Sequence, residues 1–420
     1  MQSTHKLQLD LRKLVFMLAH TVDLVGVDDC YHGRRVGMLL VRLARRLGYE
    51  PATQHLLYDA GLLHDCGVST TREHRKLLNE IEWSGAQKHC ELGCDRLAGF
   101  APLAHFAPLI LHHHSRWSEL CAQGIEPQIA VHANLIFLAD RIDVLSAPYY
   151  SDLSLLGHVE EVRAVVARHR DSIFAPQLVD AFLAESASAA FWMPLLSTEE
   201  VAAFQASMAR RPDAVPIDWQ TFTQAARIFA QIVDAKSPFT QEHSSGVSRL
   251  ARFMAERHGF DSEHCDLIEV AGLLHDIGKM QIPDEILEAP RKLTDIEFDQ
   301  MKTHAYVTFQ ILHGAGVLDS IALWASQHHE KLNGTGYPFR LHDLQIPLES
   351  RIIGVADVYQ ALAQNRPYRV PVAPVAILGM LRSRVSEGEL DGAVVDVLAA
   401  NLDGCQRAAL GNASSYGSAH

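Results

Sequence analysis

A histidine directly followed by an aspartate ends an apolar run twice in this sequence. The six residues A-G-L-L-H-D occur at Ala60–Asp65 and again at Ala271–Asp276. An adjacent imidazole and carboxylate on a buried helix can serve one site when a divalent metal binds both side chains. A buried histidine that is hydrogen-bonded to its neighbouring carboxylate is the alternative, and the dipeptide alone does not separate the two. The other ligands of a metal site must come from elsewhere in the chain.

Further histidines and aspartates follow both copies in the same order. The matching positions, first copy then second, are His32 and His243, His64-Asp65 and His275-Asp276, His89 and His304, His113-His114 and His328-His329, and Asp140 and Asp357. The first and second positions are 32 residues apart in both copies, and the third and fourth are 24 residues apart in both. Identical intervals are the mark of an internal repeat. The sequence therefore predicts two copies of one domain.

The ligand types of the second copy indicate a pair of metal ions. Five imidazoles and two carboxylates are too many for one octahedral ion, and they suit two ions bridged by a carboxylate, for which Asp276 is the candidate. We expect His243, His275 and Asp357 to complete one ion. His304, His328 and His329 would bind the other. A donor set of imidazole and carboxylate without cysteine favours iron or manganese, with zinc and nickel as alternatives.

Two neighbouring metal ions support a specific reaction. They activate a water molecule at neutral pH and stabilise the phosphoryl oxygen during in-line displacement. Phosphodiester hydrolysis is the reaction that this donor set predicts for the second copy. The first copy offers the equivalent candidate metal ligands His32, His64, Asp65, His89, His113, His114 and Asp140. For any single histidine, an isolated core or surface role is the alternative.

The elements that must position these ligands are helices. Apolar residues recur at intervals of three and four along most of the chain, and convincing alternating strands are absent, so we predict an all-α fold of two tandem helical bundles. We place the first domain at residues 1–190 and a linker at 191–218, where Pro194, Pro212 and Pro216 interrupt the periodicity. The second domain would cover 219–405, followed by a flexible tail at 406–420.

Composition narrows the partners and the location. The formal net charge of −13 argues against a nucleic-acid polymer or an acidic membrane as a partner. No apolar run approaches the length of a membrane span, and no signal peptide is evident, so a cytoplasmic location is expected. The seven cysteines form no C-x-x-C pair, which favours reduced thiols. An anionic substrate would have to meet a local basic cluster.

The second half resembles the HD-GYP family, a subgroup of HD-domain metal phosphohydrolases, over about Trp219–Cys405. The motifs that carry the resemblance are H-D-I-G-K at His275–Lys279, H-H-E at His328–Glu330, N-G-T-G-Y-P at Asn333–Pro338 and R-P-Y-R at Arg366–Arg369. The resemblance implies an all-helical enzyme with two or three metals that degrades the second messenger cyclic di-GMP to pGpG or GMP. Some similar proteins prefer 3′,3′-cyclic GMP-AMP.

The resemblance also suggests roles for individual residues. Asp276 and Lys279 are the candidate catalytic residues. Lys279, Arg366 and Arg369 would bind the phosphates, and Tyr337 would stack on a guanine. Glu330, beside the histidine pair, is expected to orient an imidazole. For each of these residues a purely structural role, such as solvated charge or turn packing, is the alternative.

Two positions depart from the family pattern. A carboxylate that helps some members hold a third metal is replaced here by Phe239, so we expect a site for two ions. The second departure is Gln360, which stands where another acid usually follows the metal-binding aspartate, and this leaves the local hydrogen bonding open.

The first copy resembles an HD domain without the HD-GYP specifics. Val68 stands at the position of Lys279, and neither the glycine-tyrosine-proline loop nor R-P-Y-R is present. We expect a divergent regulatory domain that binds a metal or a ligand, with a purely structural partner domain as the alternative. Signalling protein partners and a homodimer remain open. A catalytically weak module that binds a cyclic dinucleotide is the alternative for the whole chain.

Overall fold

The computed structural model of the chain describes residues 9–26, 31–79, 85–210, 215–237, 242–365 and 370–411. All regular elements in these ranges are helices, and the isolated β-bridges include Arg170 with Phe174 and Asn333 with His342. The predicted all-α fold is confirmed. No helix within these ranges is both long enough and apolar enough to cross a membrane.

The chain divides into two compact units. One unit is Asp10–Val215, and the other is Pro216–His420 together with the N-terminal residues through Leu9. We call them the first and the second domain.

The first domain contains twelve α-helices within its described residues. They are α1 (Leu11–Asp23), α2 (His32–Arg46), α3 (Pro51–Leu63), α4 (Thr71–Asn79), α5 (Ala86–Ala98), α6 (Ala107–His112), α7 (Trp117–Ala122), α8 (Pro127–Ser146), α9 (Leu155–Arg168), α10 (Pro176–Glu185), α11 (Ala189–Trp192) and α12 (Thr198–Ala209). Short 3₁₀ turns lie at Leu24–Gly26, Ala104–Phe106, Ala147–Tyr149 and Met193–Leu196. Helix α2 packs against α3 and α8 at the centre of the domain.

The second domain contains ten α-helices within its described part. They are α13 (Trp219–Asp234), α14 (His243–Arg257), α15 (Ser262–Leu274), α16 (Asp284–Leu287), α17 (Asp295–Gly314), α18 (Asp319–Ser326), α19 (Leu348–Ala363), α20 (Pro374–Ser386), α21 (Gly392–Ala400) and α22 (Leu402–Leu410). Its 3₁₀ turns lie at Ile277–Gln281 and Asp343–Gln345. Helix α14 packs against α15 and α19, as α2 packs against α3 and α8 in the first domain.

Side-chain caps set where several of these helices begin. The Asp261 carboxylate accepts a hydrogen bond from the His264 amide at the start of α15. Thr294 and Glu297 form a reciprocal capping box at the start of α17. Each cap satisfies backbone N–H groups that have no partner within the helix, and such a cap stabilises a helix by about 1 kcal/mol. Local sequence signals therefore set where α15 and α17, which position candidate metal ligands, begin.

A glycine after each His-Asp pair allows the helices to approach closely. A Cβ atom on Gly278 would lie 2.1 Å from the carbonyl oxygen of His304, and one on Gly67 would lie 1.8 Å from that of His89. Both distances are far below van der Waals contact, so only glycine fits. The glycine brings the third histidine of each copy next to its His-Asp pair.

Residues 191–218, which we expected to form a linker, are largely helical. Helix α12 and the 3₁₀ turn Met193–Leu196 lie in this segment, and the boundary between the two domains falls at Pro216. Phe191 and Trp192 are buried in the first domain. Pro194 lies in the first turn of its short helix, where proline is tolerated because that N–H needs no helical partner. Residues 211–214 lie outside the described ranges.

Part of the expected flexible tail is helical instead. Residues 406–410 belong to α22, in which Ala409 is buried. The Arg249 guanidinium on α14 donates hydrogen bonds to the carbonyl oxygens of Ala408 and Ala409, which hold the end of this helix. Residues 412–420 lie outside the described part of the chain.

Candidate metal centres

Every predicted metal ligand of the second domain lies at one site. His243 begins α14, His275 and Asp276 directly follow α15, His304 lies in α17, His328 and His329 follow α18, and Asp357 lies in α19. Two groups of ligand atoms are close enough to hold an ion each. One is formed by His243, His275 and Asp276, and the other by His304, His328 and His329. The two groups of ligand atoms correspond to the two groups expected from the sequence, and the ions themselves stay a prediction.

Asp276 stands between the two groups. Its Oδ2 atom lies 3.1 Å from His275 Nε2 and 3.7 Å from His243 Nε2. Its Oδ1 atom lies 3.5 Å from His304 Nε2 and 3.8 Å from His328 Nε2. One carboxylate oxygen thus faces each group, which is the arrangement that a bridging ligand requires.

Asp357 belongs to the first of these groups. Its Oδ1 atom lies 3.1 Å from His243 Nε2 and 4.0 Å from His275 Nε2. The Asp357 side chain is 13% exposed, whereas that of Asp276 is 3% exposed. The second domain therefore presents its ligand cluster to solvent on the Asp357 side.

Hydrogen bonds orient three of the imidazoles. The Nδ1 atoms of His275, His304 and His328 each donate to the carbonyl oxygen three residues earlier, at distances of 2.8, 2.6 and 2.7 Å. Their Nε2 atoms are then left as buried acceptors without a hydrogen-bond partner among the described residues, as is Asp276 Oδ1. Buried polar atoms without partners are costly, and atoms that converge in this way fit a cation. The residues present therefore fit a pair of divalent ions.

The protonation states of His304, His328 and Asp276 suit metal ligands. Burial lowers the pKa of His304 to about 4 and that of His328 to about 3, so both imidazoles are neutral near pH 7. Burial opposes ionisation of Asp276, but His275 and Lys279 hold its pKa well below the usual value. Neutral imidazole and ionised carboxylate are the forms that bind divalent metals.

Lys279 lies directly on the bridging carboxylate. Its Nζ atom donates a hydrogen bond of 2.5 Å to Asp276 Oδ2. The 3₁₀ turn Ile277–Gln281, which follows the His-Asp pair, places the lysine there. The Lys279 ammonium group can neutralise negative charge on Asp276 or on a phosphate beside it.

Tyr337 lies beside the second group of ligands. Its ring centroid is 4.8 Å from that of His329 and 6.3 Å from that of His304. Burial raises the pKa of its hydroxyl, so the phenol is neutral at all physiological pH values. The ring is thus placed next to the ligand cluster, where a bound base could contact it.

Glu330 holds the loop that carries Tyr337. We expected it to orient an imidazole, but its two oxygens accept hydrogen bonds from the backbone amides of Phe339 and Leu341, at 2.6 and 3.0 Å. The carboxylate thereby fixes the segment after Pro338. Its position next to His328 and His329 in the sequence suggested a partner among the histidines. In the structure, the segment after Pro338 lies against Glu330 and supplies the partners instead.

His243 is oriented by an amide that the sequence did not reveal. Its Nδ1 atom lies 3.3 Å from Gln364 Oε1, and Gln360 Nε2 lies 3.5 Å from the same oxygen. A Cβ atom on Gly246 would lie 2.1 Å from Gln360 Nε2, so the glycine makes room for this glutamine. The hydrogen bonding around Gln360, which the sequence left open, therefore runs through Gln364 to His243.

An open cavity of about 460 Å³ lies beside Asp357. It is lined by Asp357, Val358, Ala361, Leu362, Met380, Ser383 and Arg384, which come from α19 and α20. No sequence motif pointed to Met380, Ser383 or Arg384, because helix α20 carries none of the family motifs. Two predicted substrate ligands, Arg366 and Arg369, lie outside the described residues, as does Phe239.

The first domain repeats the arrangement of ligands. Its ligand atoms fall into two groups, one of His32, His64 and Asp140 and one of Asp65, His89, His113 and His114. Asp65 Oδ2 lies 3.4 Å from His64 Nε2, and Asp65 Oδ1 lies 3.5 Å from His89 Nε2. All seven candidate ligands of the first copy therefore meet at one site.

The electrostatic surroundings of this first cluster are similar in part. Burial lowers the pKa of His89 to about 4 and that of His113 to about 3. Burial opposes ionisation of Asp65, but His64 and His89 lower its pKa to about 2. The positively charged side chains beside the cluster differ from the lysine of the second domain. Arg141 donates to Asp140 Oδ2 at 2.7 and 3.0 Å, and Arg35 donates to Asp143 Oδ1 at 2.6 Å.

Comparison with known proteins finds the same two domains. The chain matches the HD domain family over residues 30–145 and again over residues 227–394. It is 35% identical to the 3′3′-cGAMP-specific phosphodiesterase 1 of Vibrio cholerae over 402 residues, which cover 94% of this chain and 92% of that protein. It is 39% identical to a cyclic di-GMP phosphodiesterase response regulator of Xanthomonas campestris over 142 residues, 33% of this chain and 38% of that protein.

A solved structure shares the fold. The crystal structure of a cyclic GMP-AMP specific phosphodiesterase of V. cholerae covers 94% of this chain and 98% of its own, with a TM-score of 0.62 and 22% sequence identity. The tandem arrangement of helical domains is therefore found in a known protein.

Proposed function

We propose that this chain, which belongs to the HD-GYP family of phosphodiesterases, hydrolyses a bacterial cyclic dinucleotide at the ligand cluster of its second domain. The observation that carries the proposal is the position of Asp276, whose two carboxylate oxygens face two separate groups of histidines. Two divalent ions bound there would activate a water molecule and stabilise the phosphoryl oxygens. We infer that these ions are iron or manganese, because the donors are imidazoles and carboxylates.

The protein's own residues would bind and orient the phosphodiester. Lys279, at 2.5 Å from Asp276, is placed to fix the bridging carboxylate and to contact a phosphate oxygen. Tyr337, beside His329, would stack on a base of the substrate. Arg366 and Arg369 remain candidates for the phosphates on the strength of the family motif.

The cavity beside Asp357 supplies a second part of the binding site. Its lining is largely aliphatic, and its volume of about 460 Å³ is in the range of small-molecule sites. The exposed side of the ligand cluster opens at the same residue. A base or ribose of the substrate would enter this cavity while a phosphate lies at the cluster.

Two substrates are candidates for this site. Cyclic di-GMP is the one that the family motifs suggested first, and several relatives that match about a third of the chain are named for it. The relative that matches 94% of the chain is named for 3′3′-cGAMP, which favours cyclic GMP-AMP as the second candidate. Both contain two 3′,5′-phosphodiester bonds, so the chemistry of the cluster is the same for either.

Product analysis tests the proposal. The full chain is reconstituted anaerobically with ferrous iron or manganese and incubated with each cyclic dinucleotide, and the products are separated by chromatography. We expect a linear dinucleotide or mononucleotides, with kcat/KM at least tenfold higher for one of the two substrates. Tight binding without product over a long incubation would instead assign the chain to the binding modules.

The first domain is proposed to be regulatory. It lacks the lysine, the glycine-tyrosine-proline loop and the R-P-Y-R motif that the second domain carries. Signalling protein partners and a homodimer stay predictions, as does the cytoplasmic location. Size-exclusion chromatography with light scattering would test the homodimer directly.

A further inference from the structure

The ligand cluster of the first domain consists of two groups that differ in how their polar atoms are satisfied. We refer to Asp65, His89, His113 and His114 as the four-residue group and to His32, His64 and Asp140 as the trio. Because both groups are buried, each polar atom in them needs a hydrogen-bond partner or a cation.

The four-residue group contains polar atoms without partners. Asp65 Oδ1 and His114 Nε2 are buried and have no hydrogen-bond partner among the described residues. His89 Nε2 lies 3.5 Å from Asp65 Oδ1 and 3.1 Å from His113 Nε2. Ligands about 2.1 Å from one ion lie about 3.0–3.4 Å apart in octahedral or tetrahedral geometry. The spacing therefore fits a single ion.

The trio, in contrast, is already satisfied by the protein. His32 Nδ1 lies 2.8 Å from Asp143 Oδ2, and His32 Nε2 lies 3.3 Å from Asp140 Oδ1. His64 Nδ1 donates to a backbone carbonyl oxygen at 2.7 Å, and its Nε2 atom lies 3.3 Å from His32 Nε2. No atom of the trio is among the buried polar atoms that have no partner in the described residues.

Two buried arginines add fixed positive charge beside the trio. Arg141 donates twice to Asp140 Oδ2, and its remaining nitrogen donates to the carbonyl oxygen of Leu77 at 2.9 Å. Arg35 forms a bidentate pair with Asp143, the carboxylate that contacts His32. These guanidinium groups are charged at all accessible pH values. A divalent ion in the trio would be repelled by both.

The second domain lacks both arginines. By the spacing of the repeat, Val358 follows Asp357 where Arg141 follows Asp140, and Gly246 stands where Arg35 does. The buried atoms without partners there include His275 Nε2 in one group and His304 Nε2 and His328 Nε2 in the other. Both groups of the second domain therefore call for a cation, and only one group of the first domain does.

We infer that the first domain binds one divalent ion, at the four-residue group, and that Arg141 occupies the charge position that a second ion would take beside Asp140. The first domain is then a mononuclear metal site in a chain whose second domain is binuclear. This inference concerns metal content and does not depend on the phosphodiesterase activity.

Metal content of the full chain tests the inference. The parent protein carries His275→Ala, Asp276→Ala, His304→Ala and His328→Ala, which disrupt both ligand groups of the second domain, so that only the first domain keeps its cluster. After loading with Mn²⁺ and removal of free metal, we expect close to one manganese per chain by mass spectrometry, and an electron paramagnetic resonance spectrum of an isolated ion. Two ions with a spin-coupled spectrum, or no bound ion, would overturn the inference.

A matched pair of variants in the same parent locates the ion. His113→Gln removes a ligand of the four-residue group and is expected to lower the manganese affinity at least tenfold, whereas His32→Gln, in the trio, is expected to change it less than threefold. The reverse order would place the ion in the trio and refute the assignment. Far-ultraviolet circular dichroism and thermal unfolding check that both variants fold. The manganese content of the parent is measured independently of these two variants.

Arg141→Val tests the role of the arginine. It installs the residue that follows the equivalent aspartate in the second domain, and we expect the manganese content of the parent to rise from close to one to close to two, with a spin-coupled signal. An unchanged content of one would show that Arg141 does not exclude the second ion. Arg116→Val is the control, since Arg116 lies at the start of α7 outside the cluster, and it should leave the content unchanged.

Discussion

The cation nearest the ligand cluster lies on different carboxylates in the two domains. In the second domain Lys279 lies on Asp276, the bridging residue, whereas in the first domain Arg141 lies on Asp140. The exposed carboxylate changes accordingly. Asp357 in the second domain and Asp65 in the first are each 13% exposed, while Asp276 and Asp140 are 3% and 2% exposed. The more exposed of the two carboxylates therefore differs between two copies that have the same ligands.

The two domains also differ in the groups that orient the first histidine of each copy, His32 and His243. In the first domain, Arg35 and Asp143 form a buried ion pair that orients His32. The equivalent residues of the second domain are Gly246 and Gln360, and the orienting group is the neutral amide of Gln364. The Arg35–Asp143 ion pair of the first domain and the Gly246–Gln360 contact of the second occupy equivalent positions in the two cores. The comparison shows that ligand identity was kept while charge around the ligands was redistributed.

The largest expected effect separates the two clusters by activity. We expect His275→Ala with Asp276→Ala to lower phosphodiesterase turnover at least about a thousandfold, because the variant removes the bridging carboxylate and a neighbouring imidazole. The matched variant His64→Ala with Asp65→Ala should keep turnover within about tenfold of the original. The rate of linear product formation measures both.

The reverse pattern, with activity lost only in the first-domain variant, would assign catalysis to the other copy. Thermal unfolding of the two double variants serves as the control, since both remove the same pair of residues from the same position of the repeat.

The next effect tests what the copies share. Gly278→Ala and Gly67→Ala would each place a methyl group about 2 Å from a histidine carbonyl oxygen. We expect each substitution to destabilise its own domain by about 3 kcal/mol, because backbone atoms cannot give way as a flexible side chain can. Calorimetric unfolding of the full chain measures the shift.

Two exposed helical glycines serve as controls. Gly314→Ala and Gly157→Ala meet no atom within 4 Å, one in each domain, and should change stability by less than about 1 kcal/mol. Should Gly278→Ala or Gly67→Ala behave like these controls, the close approach of the helices would not be a feature of that domain.

A smaller effect concerns the residue that distinguishes the His-Asp motifs. Lys279→Val installs the residue found at the equivalent Val68, and we expect kcat/KM to fall about tenfold to a hundredfold as the cation beside Asp276 is lost. Lys279→Arg, which keeps the charge, should recover part of the loss. Steady-state kinetics on the preferred cyclic dinucleotide measures both variants, and equal activity of Lys279→Val and the unaltered chain would remove the lysine from the mechanism.

The smallest effect is a pH dependence confined to the first domain. Burial and the neighbouring Arg34 lower the pKa of His20 from 6.5 to about 4. Between these values the unfolded chain binds a proton that the folded chain does not, so the stability supplied by neutral His20 is present above pH 6.5 and falls as the pH falls toward 4. At pH 5.5 the loss relative to neutral pH is about 1 kcal/mol.

His20→Gln tests this dependence, because Gln231 is the equivalent residue of the second domain. Urea unfolding at pH 7.5 and pH 5.5 should show a smaller stability loss for the variant than for the unaltered chain. An identical loss in both would show that His20 does not contribute to the acid sensitivity.

Most of the fold and of the candidate ligand set could be predicted from the sequence. The tandem helical architecture and the family resemblance are confirmed, because amphipathic periodicity and duplicated intervals are visible in one dimension. The seven ligand candidates of each copy meet in space as the intervals suggested. The segment 191–218 and residues 406–410 were harder, because prolines at helix starts and a short apolar helix resemble loop sequence.

The repeat identifies the candidate metal ligands by their types, order and spacing. The role of each carboxylate, in contrast, becomes visible only in the folded chain. Asp276 divides its two oxygens between two groups, Gln364 reaches His243 from 121 residues away, and Arg141 folds back onto the aspartate beside it. Residue types and intervals can be read along the chain, whereas hydrogen-bond partners and charge balance depend on helices that are distant in sequence and meet only in the packed core.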